Sequence, residues 1–222
     1  MSLKDKQKSK KRLFKNFCYD FVKLTGAVPA MILYRIKYHY ETPSAARKIK
    51  GGAIVISNHL GPLDPIRVHC ILWYRRLNFV AMKELFDTKV KGWFFSKMHC
   101  IPVDRENFNM STFSKVMDVS KEGGITCIFP EGHITLGDEA INTFKSGMIL
   151  MALRAGVPII PIYMAPQKSI WSRQNVVIGE PIDIKALCGK IPDIKAIENA
   201  AETLRKKEIE LMELYIKENG ND

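Results

Sequence analysis

Short apolar segments alternate with amphipathic ones along most of the chain after Gly51. Residues 53–57 (A-I-V-I-S) are almost wholly apolar, which is typical of a strand covered on both faces. Four further segments share this character and predict strands: 77–82, 124–130, 157–163 and 175–179. Helical patterns separate them at 65–74, 109–122 and 144–155, and Asp193 is placed to cap a final helix. The alternation predicts an α/β fold with a mostly parallel central sheet flanked by helices.

A different pattern precedes this region. Residues 1–12 form a basic tail, and apolar residues then recur at spacings of three and four as far as Leu24. A second apolar helical stretch begins at Met31. Gly26 and Pro29 lie between the two stretches and interrupt the helical pattern. Such a helix pair either packs on the core or docks its aromatic face on a bilayer with anionic head groups. We predict a tail and helix pair over 1–45 and an α/β domain over 46–222.

Charge is distributed very unevenly. The net charge is +11, yet residues 1–50 hold 13 Lys/Arg against 3 Asp/Glu while residues 51–222 hold 21 against 20. A basic excess on an aromatic helical segment favours a membrane surface as partner, and the nearly neutral body offers no groove for nucleic acid. The early uncharged run 24–34 is short of the roughly 20 apolar residues that a spanning helix needs. We therefore expect a peripheral or monotopic protein.

Cysteine and histidine positions point to no metal. The five cysteines are odd in number, form no C-x-x-C pair and show no ligand spacing with the histidines. We expect reduced thiols and no metal site.

The first candidate for chemistry is S-N-H-L-G-P-L-D at residues 57–64, directly after a predicted strand. On an ideal helix His59 and Asp64 would lie about 140° apart, whereas a tight turn through Gly61 and Pro62 brings them together. A carboxylate that orients an imidazole makes a general base. Equally, Asp64 caps the next helix and His59 only binds backbone.

Two later segments add polar groups at predicted strand ends. In I-P-V-D-R (101–105) the guanidinium of Arg105 suits a phosphate, and in F-P-E-G (129–132) Glu131 suits the hydroxyls of a polyol. Each taken alone also fits a surface ion pair or a solvated turn charge. The chain contains no G-x-S-x-G, P-loop or G-x-G-x-x-G motif, which leaves His59 to activate a hydroxyl of the substrate itself.

In this order and separation the segments resemble the four motifs of the glycerolipid acyltransferase family, whose central members are 1-acylglycerol-3-phosphate acyltransferases. N-H-L-G-P-L-D (58–64) is similar to the N-H-x4-D motif, and I-P-V-D-R and F-P-E-G are similar to the second and third motifs. V-P-I-I-P (157–161) is similar to the fourth. Phe144, Lys145 and Gly147 also resemble the F-K-x-G that commonly follows the third motif.

The resemblance implies that His59, oriented by Asp64, deprotonates an acceptor hydroxyl that attacks the thioester of acyl-CoA or acyl-carrier protein. Arg105 and Lys145 would bind the acceptor phosphate, and Glu131 and Gly132 would shape the glycerol site. No cofactor is needed beyond the donor. For the fourth motif, the resemblance implies that Val157, Pro158 and Pro161 line the core and the acyl pocket. The N-terminal helices resemble a docking element of the family, which implies the cytoplasmic face of a membrane.

Two departures concern the acceptor. The third motif usually continues with Thr-Arg-Ser, where this chain has His133-Ile134-Thr135, and a usual Gly in the second motif is replaced by His99-Cys100. The expected product is phosphatidic acid from 1-acylglycerol 3-phosphate. The alternatives are acylation of another lysolipid or of glycerol 3-phosphate, or a non-catalytic, membrane-bound lipid-binding protein.

Overall fold

Seven strands form one sheet in a computed structural model that describes residues 14, 16–104, 110–134, 141–167, 169 and 171–220. Their order across the sheet is β1-β7-β6-β2-β5-β3-β4. The strands are β1 (Lys37–Tyr40), β2 (Ala53–Ser57), β3 (Leu77–Met82), β4 (Ile101–Val103), β5 (Ile125–Ile128), β6 (Ile159–Met164) and β7 (Asn175–Ile178). Strands β2 to β6 run parallel, and β7 pairs antiparallel with β6 and parallel with β1. The prediction of a mostly parallel sheet is confirmed.

Helices cover both faces of this sheet. They are α1 (16–22), α2 (Val28–Tyr34), α3 (Asp64–Ile71), α4 (Lys89–Lys97), α5 (Met110–Lys121), α6 (Gly147–Ala155), α7 (Ile184–Cys188) and α8 (Ile194–Asn219). A 3-10 turn over Lys83–Phe86 precedes α4. The sequence patterns predicted neither of these two elements. Asp193 caps α8 as predicted, because its side chain accepts a hydrogen bond from the Ala196 amide.

The core is divided by the sheet into two layers. Every residue of β2 is buried, and Ile54 and Ile56 belong to the layer beneath α5, α6 and α8, whereas Ala53 and Val55 belong to the layer beneath α3. Side chains alternate between the faces of a strand, so two apolar layers require an uninterrupted apolar segment. The segment at 53–57 is apolar for this reason.

The N-terminal helices differ from their prediction. Instead of stopping at Gly26 and Pro29, the backbone stays helical from α1 through a π-helical turn (Lys23–Ala27) into α2. A π turn is wider than an α turn, and Pro29, which has no amide hydrogen to donate, lies in the first turn of α2 directly after it. Among the described residues no helix has the length and apolar character needed to cross a bilayer.

The predicted boundary at residue 45 is corrected by β1. Lys37–Tyr40, assigned to the N-terminal element from sequence, is an edge strand that pairs with β7. Its K-Y-H-Y sequence carries polar residues because an edge strand is only partly covered, and so it lacks the apolar signature of the central strands. The α/β unit therefore begins before residue 45.

Tyr19 fastens the N-terminal helix to the α/β unit. Its ring is fully buried, its hydroxyl accepts a hydrogen bond from the Leu77 amide at 2.8 Å, and it lies 2.8 Å from Nε2 of His69. Nδ1 of His69 lies 2.8 Å from the Pro65 carbonyl, which can only accept, so Nδ1 carries the proton and Nε2 accepts from Tyr19. Burial raises the pKa of Tyr19 and keeps its hydroxyl protonated.

Tyr19→Phe should lower the free energy of unfolding by about 1–3 kcal/mol, because a buried amide and a buried ring nitrogen both lose their partner. Chemical denaturation measures the change. Tyr38→Phe is the matched control: its hydroxyl donates to the Ile71 carbonyl, but the residue is 37% exposed and water can replace the bond. Equal losses in the two variants would contradict the anchoring role of Tyr19.

Candidate active site

The carboxyl ends of the parallel strands meet at one edge of the sheet and bring the polar motifs together. His59 follows β2, Glu131 follows β5 and Gln167 follows β6, while Asp104 follows β4. Open α/β sheets place their ligand sites at this edge. The positions predicted for the first three motifs therefore share one location by topology.

His59 and Asp64 form the dyad that the sequence suggested. Nδ1 of His59 lies 2.9 Å from Oδ2 of Asp64, and the Asp64 side chain is fully buried. The chain turns back at Gly61, whose carbonyl accepts the Asp64 amide, and Asp64 is the first residue of α3. A carboxylate only accepts hydrogen bonds, so Nδ1 carries the proton and Nε2 is left as the proton acceptor.

Asp64 also organises the loop around it. Its Oδ2 accepts the backbone amides of Leu60 and Gly61 at 2.6 and 2.7 Å, and its Oδ1 accepts Nη1 of Arg67 at 2.8 Å. Arg67 reaches Gln167 through Nη2 at 3.1 Å, and its guanidinium lies over the ring of Tyr34. Sequence reasoning missed Arg67, although a cation three residues after an aspartate on a helix is a recognisable pairing signal.

Asn58 attaches the His59 loop to the neighbouring strand. Its side-chain amide donates to the carbonyl of Met164 at 2.9 Å, and its Oδ1 accepts the Met164 amide at 2.8 Å. Both residues are fully buried. This pair of bonds continues the pairing of β2 with β6 beyond the end of the strand, and it fixes the backbone from which His59 projects. The role of Asn58 was not predicted.

Glu131 is turned into the protein. None of its surface is exposed, and its two oxygens accept the backbone amides of His59 at 2.9 Å and of Asn142 at 3.1 Å. This geometry favours a positioning role over the predicted contact with the glycerol hydroxyls, because the carboxyl is fully buried and both of its oxygens accept backbone amides. Gly132 follows with a φ of +76°, a conformation that side chains other than glycine disfavour.

The cations predicted for the acceptor phosphate are placed only in part. Lys145 is exposed beside the third motif, its amide donates to the Pro130 carbonyl, and its stem lies near Gly132. Arg105 lies outside the described residues. Asp104, the residue before it, forms an ion pair with Lys83 from the end of β3 at 2.7 Å.

An apolar cavity of about 470 Å³ adjoins the dyad. His59 and Gly132 line it together with Phe129, whose ring stacks on the His59 imidazole at a centroid distance of 4.3 Å. The N-terminal helix and the segment formed by α4 and its end also line it, through Val22, Lys23, Gly26, Ala27, Phe94, Phe95 and Met98. The volume falls within the usual range of small-molecule pockets, and the lining suits a hydrocarbon chain.

A second histidine in this cavity is not equivalent to His59. Burial lowers the pKa of His69 to about 4, so the ring is neutral at physiological pH. Both of its nitrogens are engaged, with Pro65 and with Tyr19. His69 therefore serves structure, whereas Nε2 of His59 has no hydrogen-bond partner within the described part of the chain.

The residues of the fourth motif lie apart from the His59–Asp64 dyad. Val157 and Pro158 precede β6, at the edge of the sheet opposite to His59, and Pro161 is buried within β6 beside Ile56. None of the three lines the cavity next to the dyad. The strand is parallel to β2, so its amino end cannot reach the site at the carboxyl ends. Their positions fit the structural part of the prediction, and all three lie away from the cavity that adjoins the dyad.

Comparison with known proteins agrees with this arrangement. The family model described as Acyltransferase matches residues 35–165, more than half of the chain. The chain belongs to the Acyltransferase family. The resemblance noted in its motifs is thereby confirmed, and the matched region of this acyltransferase contains the His59–Asp64 dyad.

Its relatives carry consistent names. The acyltransferase is 30% identical over 165 residues to a 1-acyl-sn-glycerol-3-phosphate acyltransferase of Bacillus subtilis, covering 72% of this chain and 81% of that protein. A protein of the same name from Streptococcus pneumoniae is 29% identical, covering 75% and 63%. The crystal structure of the 1-acyl-sn-glycerophosphate (LPA) acyltransferase of Thermotoga maritima shares the fold, with a TM-score of 0.62 at 17% identity over 92% of this chain and 83% of that one.

Arg67→Leu should lower the free energy of unfolding by about 3 kcal/mol, since it removes one partner of a buried ion pair and leaves the Asp64 carboxylate uncompensated. Urea denaturation gives the value. Arg205→Leu removes another helical arginine from an i,i+3 pair, with the more exposed Glu202, and should cost less than about 1 kcal/mol. If Arg67→Leu is no less stable than Arg205→Leu, the guanidinium is not needed by Asp64.

Proposed function

We propose that this acyltransferase moves a fatty acyl group from a thioester donor to the free hydroxyl of 1-acylglycerol 3-phosphate, making phosphatidic acid for phospholipid synthesis. The observation that carries the proposal is an oriented His59–Asp64 dyad at the wall of an apolar cavity. The names of the Bacillus and Streptococcus relatives, both 1-acyl-sn-glycerol-3-phosphate acyltransferases, support the same acceptor.

His59 acts as the general base in the proposed reaction. Nε2 takes the proton of the acceptor hydroxyl while its oxygen attacks the thioester carbonyl carbon, and the charge that develops on the ring is stabilised by Asp64. The tetrahedral intermediate collapses with cleavage of the carbon–sulfur bond. The leaving thiolate receives the proton from His59, which returns the base to its neutral form. No covalent bond to the protein is made.

The substrates divide between the apolar cavity and the polar edge of the sheet. An acyl chain fills the cavity, and Lys145 binds the acceptor phosphate at the polar edge; Arg105 is proposed as a second phosphate-binding cation from its motif alone. Gly132 leaves room for the glycerol at the boundary between the two. The donor is acyl-CoA or acyl-carrier protein, and no cofactor beyond that donor takes part.

His59→Ala should reduce acyl transfer by about 10²–10⁴-fold, the contribution typical of a positioned general base. The measurement is transfer of a labelled acyl group to 1-acylglycerol 3-phosphate, with acyl-CoA and acyl-carrier protein supplied separately. His39→Ala is the matched control, because His39 lies on β1 and pairs with Glu218 away from the site. Full activity in His59→Ala would refute the mechanism.

An acceptor panel tests the substrate itself. Glycerol 3-phosphate and a lysophospholipid with a choline head group should be poorer acceptors than 1-acylglycerol 3-phosphate. A preference for either of them would replace the proposed substrate while leaving the dyad chemistry in place.

We further propose that the protein docks on the cytoplasmic face of a membrane as a monotopic protein. Five exposed side chains, spaced by three or four residues, form a docking face on the N-terminal helix: Phe17, Phe21, Leu24, Val28 and Ile32. Val90 and Trp93 expose further apolar surface on α4, and Lys97 of that helix lies over the ring of Phe14. The same two helices line the cavity, so a lipid substrate would enter from the bilayer.

Phe17→Ser/Phe21→Ser/Leu24→Ser should abolish most binding to vesicles that contain phosphatidylglycerol, because the apolar area that enters the interface is lost. Vesicle sedimentation reports binding. The double variant Ile191→Ser/Ile194→Ser removes apolar side chains elsewhere that are even more exposed, and it should sediment like the unaltered protein. Undiminished sedimentation of the triple variant would contradict docking through this face.

A further inference from the structure

All three tryptophans of the chain are exposed: Trp73, Trp93 and Trp171. Between 52% and 73% of their surface is accessible, although tryptophan in a folded domain is on average largely covered. Packing in the core is therefore not the reason for any of the three. Tryptophan is enriched where an apolar ring meets hydrocarbon and its polar N–H meets water, as at the surface of a bilayer.

Trp73 lies beside the middle of the docking face. It belongs to the turn between α3 and β3, and a groove of about 740 Å³ lies between this turn and the N-terminal helix. Leu24 and Val28, two members of the docking face, line the groove together with Trp73. Asp20, an acid that also lines it, is paired with Arg76. The groove therefore continues the docking face as far as Trp73.

Trp93 lies beside the amino-terminal end of the docking face. It is one turn before Lys97 on α4, and Nζ of Lys97 lies 4.3 Å from the centroid of the Phe14 ring. Phe14 is three residues before Phe17, the first member of the docking face. The exposed surface of α4 is therefore next to the start of the N-terminal helix.

Trp171 lies beside the carboxyl-terminal end of the same face. Arg35, at which α2 ends, donates a hydrogen bond from Nη2 to the Trp171 carbonyl. Ile32, the last member of the docking face, is three residues before Arg35. The three tryptophans thus lie at both ends and at one flank of a helical segment that is roughly 25–30 Å long.

A cation accompanies each tryptophan. Nζ of Lys48 lies 5.9 Å from the centroid of the Trp73 ring, and Arg35 binds the backbone of Trp171. Trp93 is surrounded along α4, whose sequence is K-V-K-G-W-F-F-S-K, by three lysines and no acidic residue. An apolar ring with a cation beside it is complementary to the head-group region of a bilayer that contains anionic lipid.

We propose that Trp73, Trp93 and Trp171 are three further points of membrane contact, placed around the docking face at the head-group boundary of an anionic bilayer. The inference deepens the proposed membrane docking and rests on it. A single amphipathic helix is free to roll about its axis on a lipid surface, whereas three contacts around it fix the tilt of the α/β unit. The part of the cavity lined by the N-terminal helix and α4 is then held next to the lipid.

Tryptophan fluorescence tests each point separately. Three double variants keep one tryptophan each: Trp93→Phe/Trp171→Phe, Trp73→Phe/Trp171→Phe and Trp73→Phe/Trp93→Phe. With vesicles that contain phosphatidylglycerol, the emission of each should move to shorter wavelength, because the ring leaves water. Phosphatidylcholine brominated in its acyl chains should quench all three. Hydrated, unquenched emission from any one of them, in protein that sediments with the vesicles, would overturn the three-point contact.

The control places a tryptophan far from the N-terminal helix. Ile194 is 76% exposed at the first residue of α8, whose other end is near the end of α2, because Lys37 contacts Asn219 at 3.3 Å. The intervening 25 residues of helix put Ile194 roughly 38 Å from that end. Ile194→Trp, in a chain whose natural tryptophans are replaced by phenylalanine, should keep its hydrated emission. An equal shift there would contradict a specific contact.

The affinity for the vesicles tests whether the contacts contribute to binding. Trp73→Ser and Trp171→Ser should each weaken binding about tenfold, the loss expected when on the order of 50 Å² of apolar surface no longer enters lipid. Unchanged affinity in either variant would remove that tryptophan from the contact surface and refute the inference.

These outcomes separate the inference from the proposals beneath it. If the unaltered protein does not sediment with the vesicles, membrane docking fails and the three-point contact fails with it. Sedimentation with hydrated Trp73 and Trp171 would refute the three-point contact alone. A shift that follows protein concentration without vesicles would assign the rings to a contact between copies of the chain and overturn the lipid contact. Acyl transfer is decided independently by His59→Ala.

Discussion

The buried carboxylate of Asp64 is the group on which the active site depends. Four donors converge on it: the His59 ring, the amides of Leu60 and Gly61, and the guanidinium of Arg67. Three of these donors reach Oδ2 and the guanidinium reaches Oδ1, so both oxygens of the buried carboxylate are engaged. The same anion therefore closes the turn, starts α3 and selects the tautomer of His59. The hydrogen bonds that fold this turn are therefore also the ones that orient the His59 ring.

The parallel strands supply the second constraint, because they bring the other supports to the same edge. Asn58 binds the end of β6 through Met164, and Glu131 from the end of β5 holds the His59 amide. The backbone that carries His59 is thus held by two different strands, whereas its ring is held locally by Asp64. The two bonds from the strand ends are the long-range ones. Each of these bonds joins residues more than 70 positions apart, so the base is only as well placed as the sheet is paired.

The N-terminal helix contributes to the cavity beside His59 as well as to the surface of the protein. Tyr19 fixes the helix to the α/β unit through His69 and Leu77, and the same helix forms a wall of the cavity. Its outer face exposes large apolar side chains. The helix therefore contributes one face to the cavity beside His59 and exposes the other, which is the face that we propose docks on a membrane.

The sequence by itself determined the central strands, the dyad and the order of the motifs. Ala53–Ser57 and Leu77–Met82 have their predicted bounds because a segment covered on two faces must be apolar throughout. Tertiary structure alone decided that Lys37–Tyr40 is a strand, that Glu131 faces inward, and that the fourth motif lies away from the cavity. Periodicity is local and can be read along the chain, whereas burial of a single polar group depends on which distant segments pack against it.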